Sequence, residues 1–151
     1  MLYDEQLVLT GEIDDVGNPK RTNSGSSSRI GLEIENSIKL SELFSVQTNI
    51  TLSSNKNKNI FSMVDGALYN YGKTNISFSP SFIGSNSINY KYSESLNFTF
   101  LSKYVGKQYM SNTDQPNSIL DSYFVNDLSI SYLLQPNKIF ESISINLLIN
   151  N

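Results

Sequence analysis

Apolar and polar side chains alternate strictly along residues 44–52. One face carries Phe44, Val46, Thr48, Ile50 and Leu52, and the other carries Ser45, Gln47, Asn49 and Thr51. A period of two is that of a β-strand with one apolar and one polar side. About nine to eleven residues, tilted by roughly 45°, are also enough for a barrel strand to cross a bilayer. The segment is therefore predicted to be a strand of membrane-spanning length.

The same alternation returns in six further segments. The seven predicted strands are residues 3–10, 28–38, 44–52, 75–90, 95–105, 122–134 and 142–150. Long polar connections are predicted at 11–27, 53–74 and 106–121, and short turns at 40–43, 91–94 and 135–138. Within the fourth strand, Pro80 cannot donate to a neighbouring strand and predicts a bulge or a local break in pairing.

The alternation of long and short connections is typical of outer-membrane barrels, which have long extracellular loops and short periplasmic turns. Aromatic residues sort in the same way. Phe44, Tyr90, Tyr92 and Phe140 lie near the short turns, whereas Phe61, Tyr69, Tyr71, Tyr104, Tyr109 and Tyr123 lie at or beyond the long-loop ends. The sequence predicts an all-β, antiparallel, up-and-down transmembrane β-barrel. Because open sheet edges are not tolerated in lipid, residues 1–151 are expected to form only a fragment of about seven strands.

Composition excludes several other classes of function. The 151 residues include no Cys, His or Trp, and the net charge is −3. These values remove disulfides, thiolate metal sites, the commonest general base and the basic footprint of a nucleic-acid-binding protein. Catalytic residues, a metal site and a cofactor are not expected, and the chain is predicted not to be an enzyme. Four oxygen-bearing residues in the first long connection could hold Ca²⁺, but their spacing fits no standard calcium loop and favours a solvated surface: Glu12, Asp14, Asp15 and Asn18.

Eight residues are candidates for contact with a ligand. The polar faces of two strands carry charged ones, and the long connections carry aromatic and amide ones. They are Arg29, Glu33, Glu35, Lys103, Tyr69, Tyr71, Tyr109 and Asn112. Two other interpretations stay open. The charged residues could pair with one another or with neighbouring strands, and the tyrosines could anchor the rim of the barrel at the membrane surface.

Six stretches of the sequence, in the same order along the chain, resemble the C-terminal part of a TonB-dependent outer-membrane receptor of the Bacteroidetes type. They are YDEQLVLTG at 3–11, SRIGLE at 28–33, FSP at 78–80, KYVGKQY at 103–109, NT at 112–113 and YFVNDL at 123–128. The resemblance implies a 22-stranded barrel whose lumen is filled by a plug domain. On this expectation, residues 1–151 include neither the plug domain nor the final strand of the barrel. The resemblance also implies location in the outer membrane of a Gram-negative bacterium and contact with its lipid.

What the resemblance implies about function is uptake of a scarce nutrient. The family's substrates include ferric siderophores, haem, cobalamin and glycans. The expected partners are the missing plug, the TonB energising complex and a small-molecule or glycan ligand. Two alternatives remain: an outer-membrane porin or adhesin barrel without a plug, and a soluble all-β carbohydrate-binding domain.

Overall fold

The computed structural model describes residues 2–4, 7–23, 25–64, 67–135 and 141–151. Within these ranges the regular secondary structure is β-strand and one 3₁₀ turn at Pro116–Ser118, and turns and irregular segments join the strands. The strands are β1 (Leu2–Tyr3), β2 (Leu7–Ile13), β3 (Pro19–Asn23), β4 (Ser27–Lys39), β5 (Phe44–Val64), β6 (Ala67–Asn75), β7 (Phe82–Lys91), β8 (Leu96–Val105), β9 (Gln108–Tyr109), β10 (Ile119–Leu120), β11 (Tyr123–Leu134) and β12 (Ile143–Asn150). No helix among the described residues is long and apolar enough to cross a membrane.

One antiparallel sheet contains most of the strands. Its order is β1-β4-β5-β7-β8-β11-β12, and β6 pairs separately with β5. Neighbours in the sheet thus follow chain order, which is the up-and-down arrangement, and the sheet is not closed. Seven strands lie along this order, so the predicted fold class is confirmed.

The first predicted strand, 3–10, is wrong as a single element. Leu2–Tyr3 pairs with β4, whereas Leu7–Ile13 pairs with Pro19–Asn23 in a separate two-stranded hairpin. The predicted loop 11–27 therefore contains most of this hairpin. A hairpin surrounded by water needs no apolar face, so its polar composition resembled that of a loop.

The second predicted loop, 53–74, is also largely strand. β5 continues without interruption to Val64, and β6 returns beside it, with Lys56 opposite Asn75 and Val64 opposite Ala67. The 21 residues of β5 are about twice the number that a spanning strand needs. The extension carries no regular apolar alternation because pairing with β6 and buried polar groups such as Asn57 support it, with Ile60 as a single buried apolar side chain.

The fourth predicted strand begins at Phe82 and not at residue 75. The segment 76–81 is irregular, and Pro80 lies in it, in agreement with the predicted break in pairing. Phe78 has a φ of 49° and donates its backbone N–H to the Tyr109 carbonyl at 2.8 Å. The third predicted loop, 106–121, is also ordered, by the β9–β10 pair and the 3₁₀ turn. The turn predicted at 135–138 falls mostly outside the described residues.

The chain divides into two compact units. Unit 1 comprises Met1–Leu32, Thr51–Phe82 and Val105–Tyr123, and it contains the three long connections. Among the residues of unit 1 whose burial is described, the buried apolar side chains are Ile60, Ile76 and Val105. Polar groups share this interior, and the Ser27 and Asn57 side chains are fully buried. Unit 1 is therefore held together largely by hydrogen bonds.

Unit 2 comprises Glu33–Ile50, Ile83–Tyr104 and Phe124–Asn151. None of its described residues is buried, and Ile145, Leu147 and Leu148 each leave more than half of their surface exposed. A soluble sandwich would bury such side chains between two sheets. The apolar alternation in unit 2 instead produces an apolar surface that no part of the described chain covers.

Aromatic contacts confirm the predicted facing of the strands in unit 2. The Phe44 and Tyr90 ring centroids are 5.1 Å apart, and those of Tyr90 and Phe98 are 6.2 Å apart. Tyr92 contacts Tyr90 edge to face at 6.3 Å. Phe44, Tyr90 and Phe98 belong to the predicted apolar face, and Phe44, Tyr90 and Tyr92 lie at the short-turn end as expected. Phe140 lies outside the described residues.

Candidate functional site

A cavity of about 650 Å³ lies within unit 2. Ten of its fourteen lining residues have the odd numbers that place them on the polar face, and the other four lie between them in the same strands. The lining residues are Glu35, Asn36, Ser37, Gln47, Thr48, Asn49, Ser85, Asn86, Ser87, Leu101, Ser102, Lys103, Val125 and Asp127. The cavity is thus a product of the alternation itself, which gathers hydroxyl, amide and charged groups from five strands.

Three charged residues line this cavity. The predicted residues Glu35 and Lys103 are brought together there although they are far apart in the sequence, and Asp127 joins them. The Asn49 side-chain amide donates to Glu35 Oε1 at 3.1 Å, which fixes that carboxylate against its neighbouring strand. Within the described chain, no carboxylate forms a salt bridge with Lys103. The site therefore offers one cation, two anions and many neutral hydrogen-bonding groups to a polar ligand.

Asp127 was absent from the predicted site residues. Its position on the polar side of the sixth predicted strand is the signal that could have identified it. What the sequence left open was which strands lie side by side, and the sheet order places β11 next to β8, which carries Lys103.

The other two charged candidates do not line the cavity. Arg29 belongs to unit 1, where its guanidinium donates to Ser79 Oγ at 3.4 Å. Glu33 belongs to unit 2 and lies two residues before Glu35, but it does not line the cavity. Of the three charged candidates in the second predicted strand, only Glu35 lines the cavity.

In unit 1, two of the candidate tyrosines form a pair. The Tyr69 and Tyr71 ring centroids are 4.8 Å apart at an interplanar angle of 71°. Gln115 Nε2 donates to the Tyr71 hydroxyl at 3.1 Å, which links the second and third long connections. Tyr69 remains 57% exposed, so its ring is accessible for stacking on a ligand. Edge-to-face packing of aromatic rings is favourable by about 0.5–1.5 kcal/mol, and it orients the two rings relative to each other.

Tyr109 and Asn112, the other two candidates in the long connections, both contact other residues of unit 1. The Lys107 amine lies 5.9 Å from the centroid of the Tyr109 ring, a cation–π distance. Asn112 is buried, and its Oδ1 accepts the Ser77 backbone N–H at 2.9 Å and Asn57 Nδ2 at 3.3 Å. The Asn112 carboxamide thus holds two long connections together.

Asp114 supports the same contact between connections. Its two carboxylate oxygens accept the Asn75 backbone N–H at 2.9 and 3.1 Å, and Oδ2 also accepts Asn75 Nδ2 at 2.9 Å. Asp114 has a φ of 55°, in the left-handed region that Asp tolerates better than most residues. Together with Asn112, it makes the third connection an ordered surface on which Tyr109 is displayed.

The acidic residues of the first connection do not form a metal site among the described side chains. Asp14 Oδ1 instead accepts the backbone N–H groups of Val16 at 3.0 Å and Asn18 at 2.7 Å, closing the β2–β3 turn. Gly17 supports that turn with a φ of 87°. The hydrogen bond from the Asn18 backbone, with others from Asn18, Val16 and Gly17, lowers the pKa of Asp14 below its usual range.

No protein-family model matches the sequence, and no curated protein matches it. In structure, the chain is similar to the siderophore receptor PiuA from Acinetobacter baumannii, with a TM-score of 0.61 and 20% sequence identity. The similarity covers 87% of this chain and 18% of that receptor. At this identity the likeness concerns the fold. This chain forms an open antiparallel all-β sheet that is similar to part of that receptor's barrel.

Proposed function

We propose that this chain is part of the β-barrel domain of an outer-membrane receptor that takes up a scarce nutrient, such as a ferric siderophore or another chelate. In this proposal a plug domain and a final strand lie outside residues 1–151. Ligand binding is followed by translocation energised by the TonB complex. The chain contributes barrel wall and ligand contacts without covalent chemistry.

The observation that carries the proposal is the surface of unit 2. Apolar side chains alternate onto one face with none of the described residues buried, while the opposite face carries a polar cavity. Exposing an apolar face to water is unfavourable, whereas exposing it to hydrocarbon is not. A barrel wall between lipid and a water-filled lumen satisfies both faces at once. The similarity in fold to a siderophore receptor supports the same assignment.

The polar cavity is the proposed ligand-facing wall of the lumen. Lys103 offers a cation without a salt-bridge partner among the described residues, which suits an anionic chelate. Glu35 and Asp127 offer acceptors for hydroxyl or amide donors. The Tyr69 and Tyr71 pair in unit 1 is the proposed first contact, because exposed aromatic rings stack on planar chelating groups or on sugars.

Location and energy coupling test the proposal directly. The complete gene product should fractionate with the outer membrane and migrate as a heat-modifiable barrel. Deleting its gene should reduce uptake of one ferric chelate or other scarce nutrient, and removing the TonB energising protein should have the same effect. Uptake that persists without the energising protein would indicate a porin, and a soluble product would overturn the membrane assignment.

A charge substitution tests the role of the cavity. Lys103→Gln should weaken binding of an anionic ligand several-fold, measured by titration of the purified receptor in detergent. Lys91→Gln is the matched control, since Lys91 is exposed at the short-turn end of β7 and does not line the cavity. Equal effects of the two substitutions would show that only long-range charge matters.

A further inference from the structure

Phe78 combines a left-handed backbone with an exposed aromatic ring. Its φ is 49°, a value that is sterically unfavourable for a bulky residue and that glycine adopts freely. Phe78 is 45% exposed, whereas the adjacent Ser77 is buried. Burial of the ring and exposure of the serine would stabilise the fold more. Stability therefore does not explain the conformation of Phe78, and residues strained in this way are typical of ligand-binding sites.

The third long connection holds the backbone at Phe78. The Phe78 N–H donates to the Tyr109 carbonyl at 2.8 Å. One residue earlier, the Ser77 N–H donates to Oδ1 of the buried Asn112 at 2.9 Å. Two consecutive N–H groups are thus bonded to one ordered connection, so the backbone cannot rotate at Phe78 unless one of these bonds is lost.

Two further segments hold the chain that follows Phe78. Arg29, in β4, donates from Nη1 to Ser79 Oγ at 3.4 Å. Ser53, in β5, donates from its hydroxyl to the Pro80 carbonyl at 2.9 Å, and the proline ring fixes its own φ. All of these residues belong to unit 1. The left-handed conformation is therefore imposed from both sides of Phe78 by hydrogen bonds, and it does not depend on burial of the ring.

Phe78 adjoins the start of the third connection, which carries Lys107 and Tyr109. The N–H···O hydrogen bond brings the backbones of Phe78 and Tyr109 into contact, and the Lys107 amine lies 5.9 Å from the centroid of the Tyr109 ring. Within the described chain, Lys107 forms no salt bridge and no aromatic ring packs on Phe78. Two aromatic side chains and a cation that no described carboxylate neutralises therefore come from neighbouring backbone positions.

We propose that Phe78, together with Tyr109 and Lys107, binds a planar aromatic anion, such as an aromatic chelating group of the ligand; this inference rests on the proposed function. Aromatic side chains stack on planar rings, and an ammonium group attracts anionic oxygen atoms. A neutral sugar has no charge for Lys107, and an aliphatic anion has no ring to stack on Phe78. Because hydrogen bonds already fix the Phe78 backbone, little conformational entropy is lost when a ligand binds.

Substitutions of Phe78 test whether its ring contacts a ligand. The probe is the ferric complex of catechol, which is anionic and carries planar aromatic rings, and its binding to the purified complete receptor in detergent is measured by equilibrium dialysis. Phe78→Leu keeps an apolar side chain but removes the ring, and it should weaken binding about fivefold. Phe78→Tyr, which keeps the ring, should leave the affinity within about twofold. Phe61→Leu is the matched control and should have as little effect as Phe78→Tyr, because Phe61 is 56% exposed on β5 in the same unit but lacks the left-handed backbone.

A lysine substitution tests the charge of the site separately. Lys107→Gln should weaken binding of ferric catechol several-fold, because it removes the ammonium group and keeps a side chain that can hydrogen-bond. Lys73→Gln is the control, since Lys73 is an exposed lysine of β6 in the same unit. Equal losses for the two variants would show that general charge attraction binds the anion, and would overturn the assignment of Lys107.

Urea unfolding in lipid vesicles distinguishes a ligand contact from a structural role. Phe78→Leu should unfold at the same urea concentration as the unsubstituted receptor. Glycine accepts a φ of 49° without steric cost, so Phe78→Gly should have a higher urea midpoint than Phe78→Ala, although both should bind ferric catechol weakly. A lower midpoint for Phe78→Leu, equal losses of binding for Phe78→Leu and Phe61→Leu, or no binding of ferric catechol by the unsubstituted receptor would each overturn the inference. In all three cases the proposed function would stand if the receptor remained a heat-modifiable outer-membrane barrel.

Discussion

Asn112 Oδ1 accepts the backbone N–H of Ser77 at 2.9 Å, although the two residues are 35 positions apart. The same oxygen accepts Asn57 Nδ2 at 3.3 Å. One buried acceptor thus connects the second long connection, the segment that follows it and the third long connection. Asn57 adds a buried Oδ1 that has no hydrogen-bond partner in the described chain, so this interior already carries a free-energy cost.

Removing that acceptor should destabilise unit 1. Asn112→Ala removes the oxygen that accepts hydrogen bonds from the Ser77 backbone N–H and from Asn57 Nδ2. We expect the free energy of unfolding to fall by about 1–3 kcal/mol. Urea unfolding of the complete protein in lipid vesicles measures this. Thr113→Ala is the control, because within the described chain the Thr113 hydroxyl hydrogen-bonds only to Ser111, two residues away. A loss no larger than the control's would mean that Asn112 does not hold the connections together.

Lysine substitutions on the two faces of β5 should show, by their effect on the free energy of unfolding, which face contacts lipid and which faces the lumen. Ile50→Lys should cost roughly 2–4 kcal/mol of unfolding free energy, because it faces the proposed hydrocarbon region. Asn49→Lys should cost much less, since Asn49 lines the polar cavity beside Glu35. The same vesicle-based unfolding assay compares them, and equal costs would contradict the assigned facing.

The β2–β3 turn should loosen in acid. Because the Asp14 pKa is lowered in the folded turn, its carboxylate contributes stability above its ordinary pKa of about 3.9, and this is lost as the pH falls through the lowered value. Exchange rates of the Val16 and Asn18 amides should therefore rise, beyond the intrinsic pH dependence, in that acidic range. Asp14→Asn should remove the additional transition, and its persistence would assign the transition to another group.

A methyl group at Gly31 should disturb the β4–β5 pair. A Cβ at this position would lie 2.9 Å from the Leu52 carbonyl oxygen, so the backbone would have to move. We expect Gly31→Ala to cost about 1–3 kcal/mol in the vesicle unfolding assay. Ser37→Ala, farther along the same strand on the same side, should change stability by less than about 0.5 kcal/mol. Similar values for both would show that the strands separate easily here.

The strands of unit 2 were predictable because a single physical rule governs them. Each has one apolar and one polar face, so residues such as Phe44, Tyr90 and Phe98 could be assigned to one side from numbering alone, and their ring contacts confirm it. Glu35 and Lys103 were placed on the polar face for the same reason, and both line the cavity. Ligand binding by the eight candidate residues stays a prediction.

The strands within the long connections were not predicted because they are not stabilised by an alternating apolar face. Their strands, such as the outer half of β5, are stabilised by backbone pairing and by buried amides and hydroxyls, which leave no hydrophobic period in the sequence. The contacts that order them join residues far apart in the chain, as Asn112 joins Ser77 and Asp114 joins Asn75. Sequence spacing carries no information on such partners.

The sequence by itself therefore determined the fold class, the facing of the strands in unit 2 and the short turns near 40–43 and 91–94, because alternation is a local property. Only the tertiary structure decided which strands adjoin, how far the long connections continue as sheet, and which polar residues share a cavity. Those outcomes depend on strand register and on hydrogen bonds between distant segments, and both arise only when the whole sheet assembles.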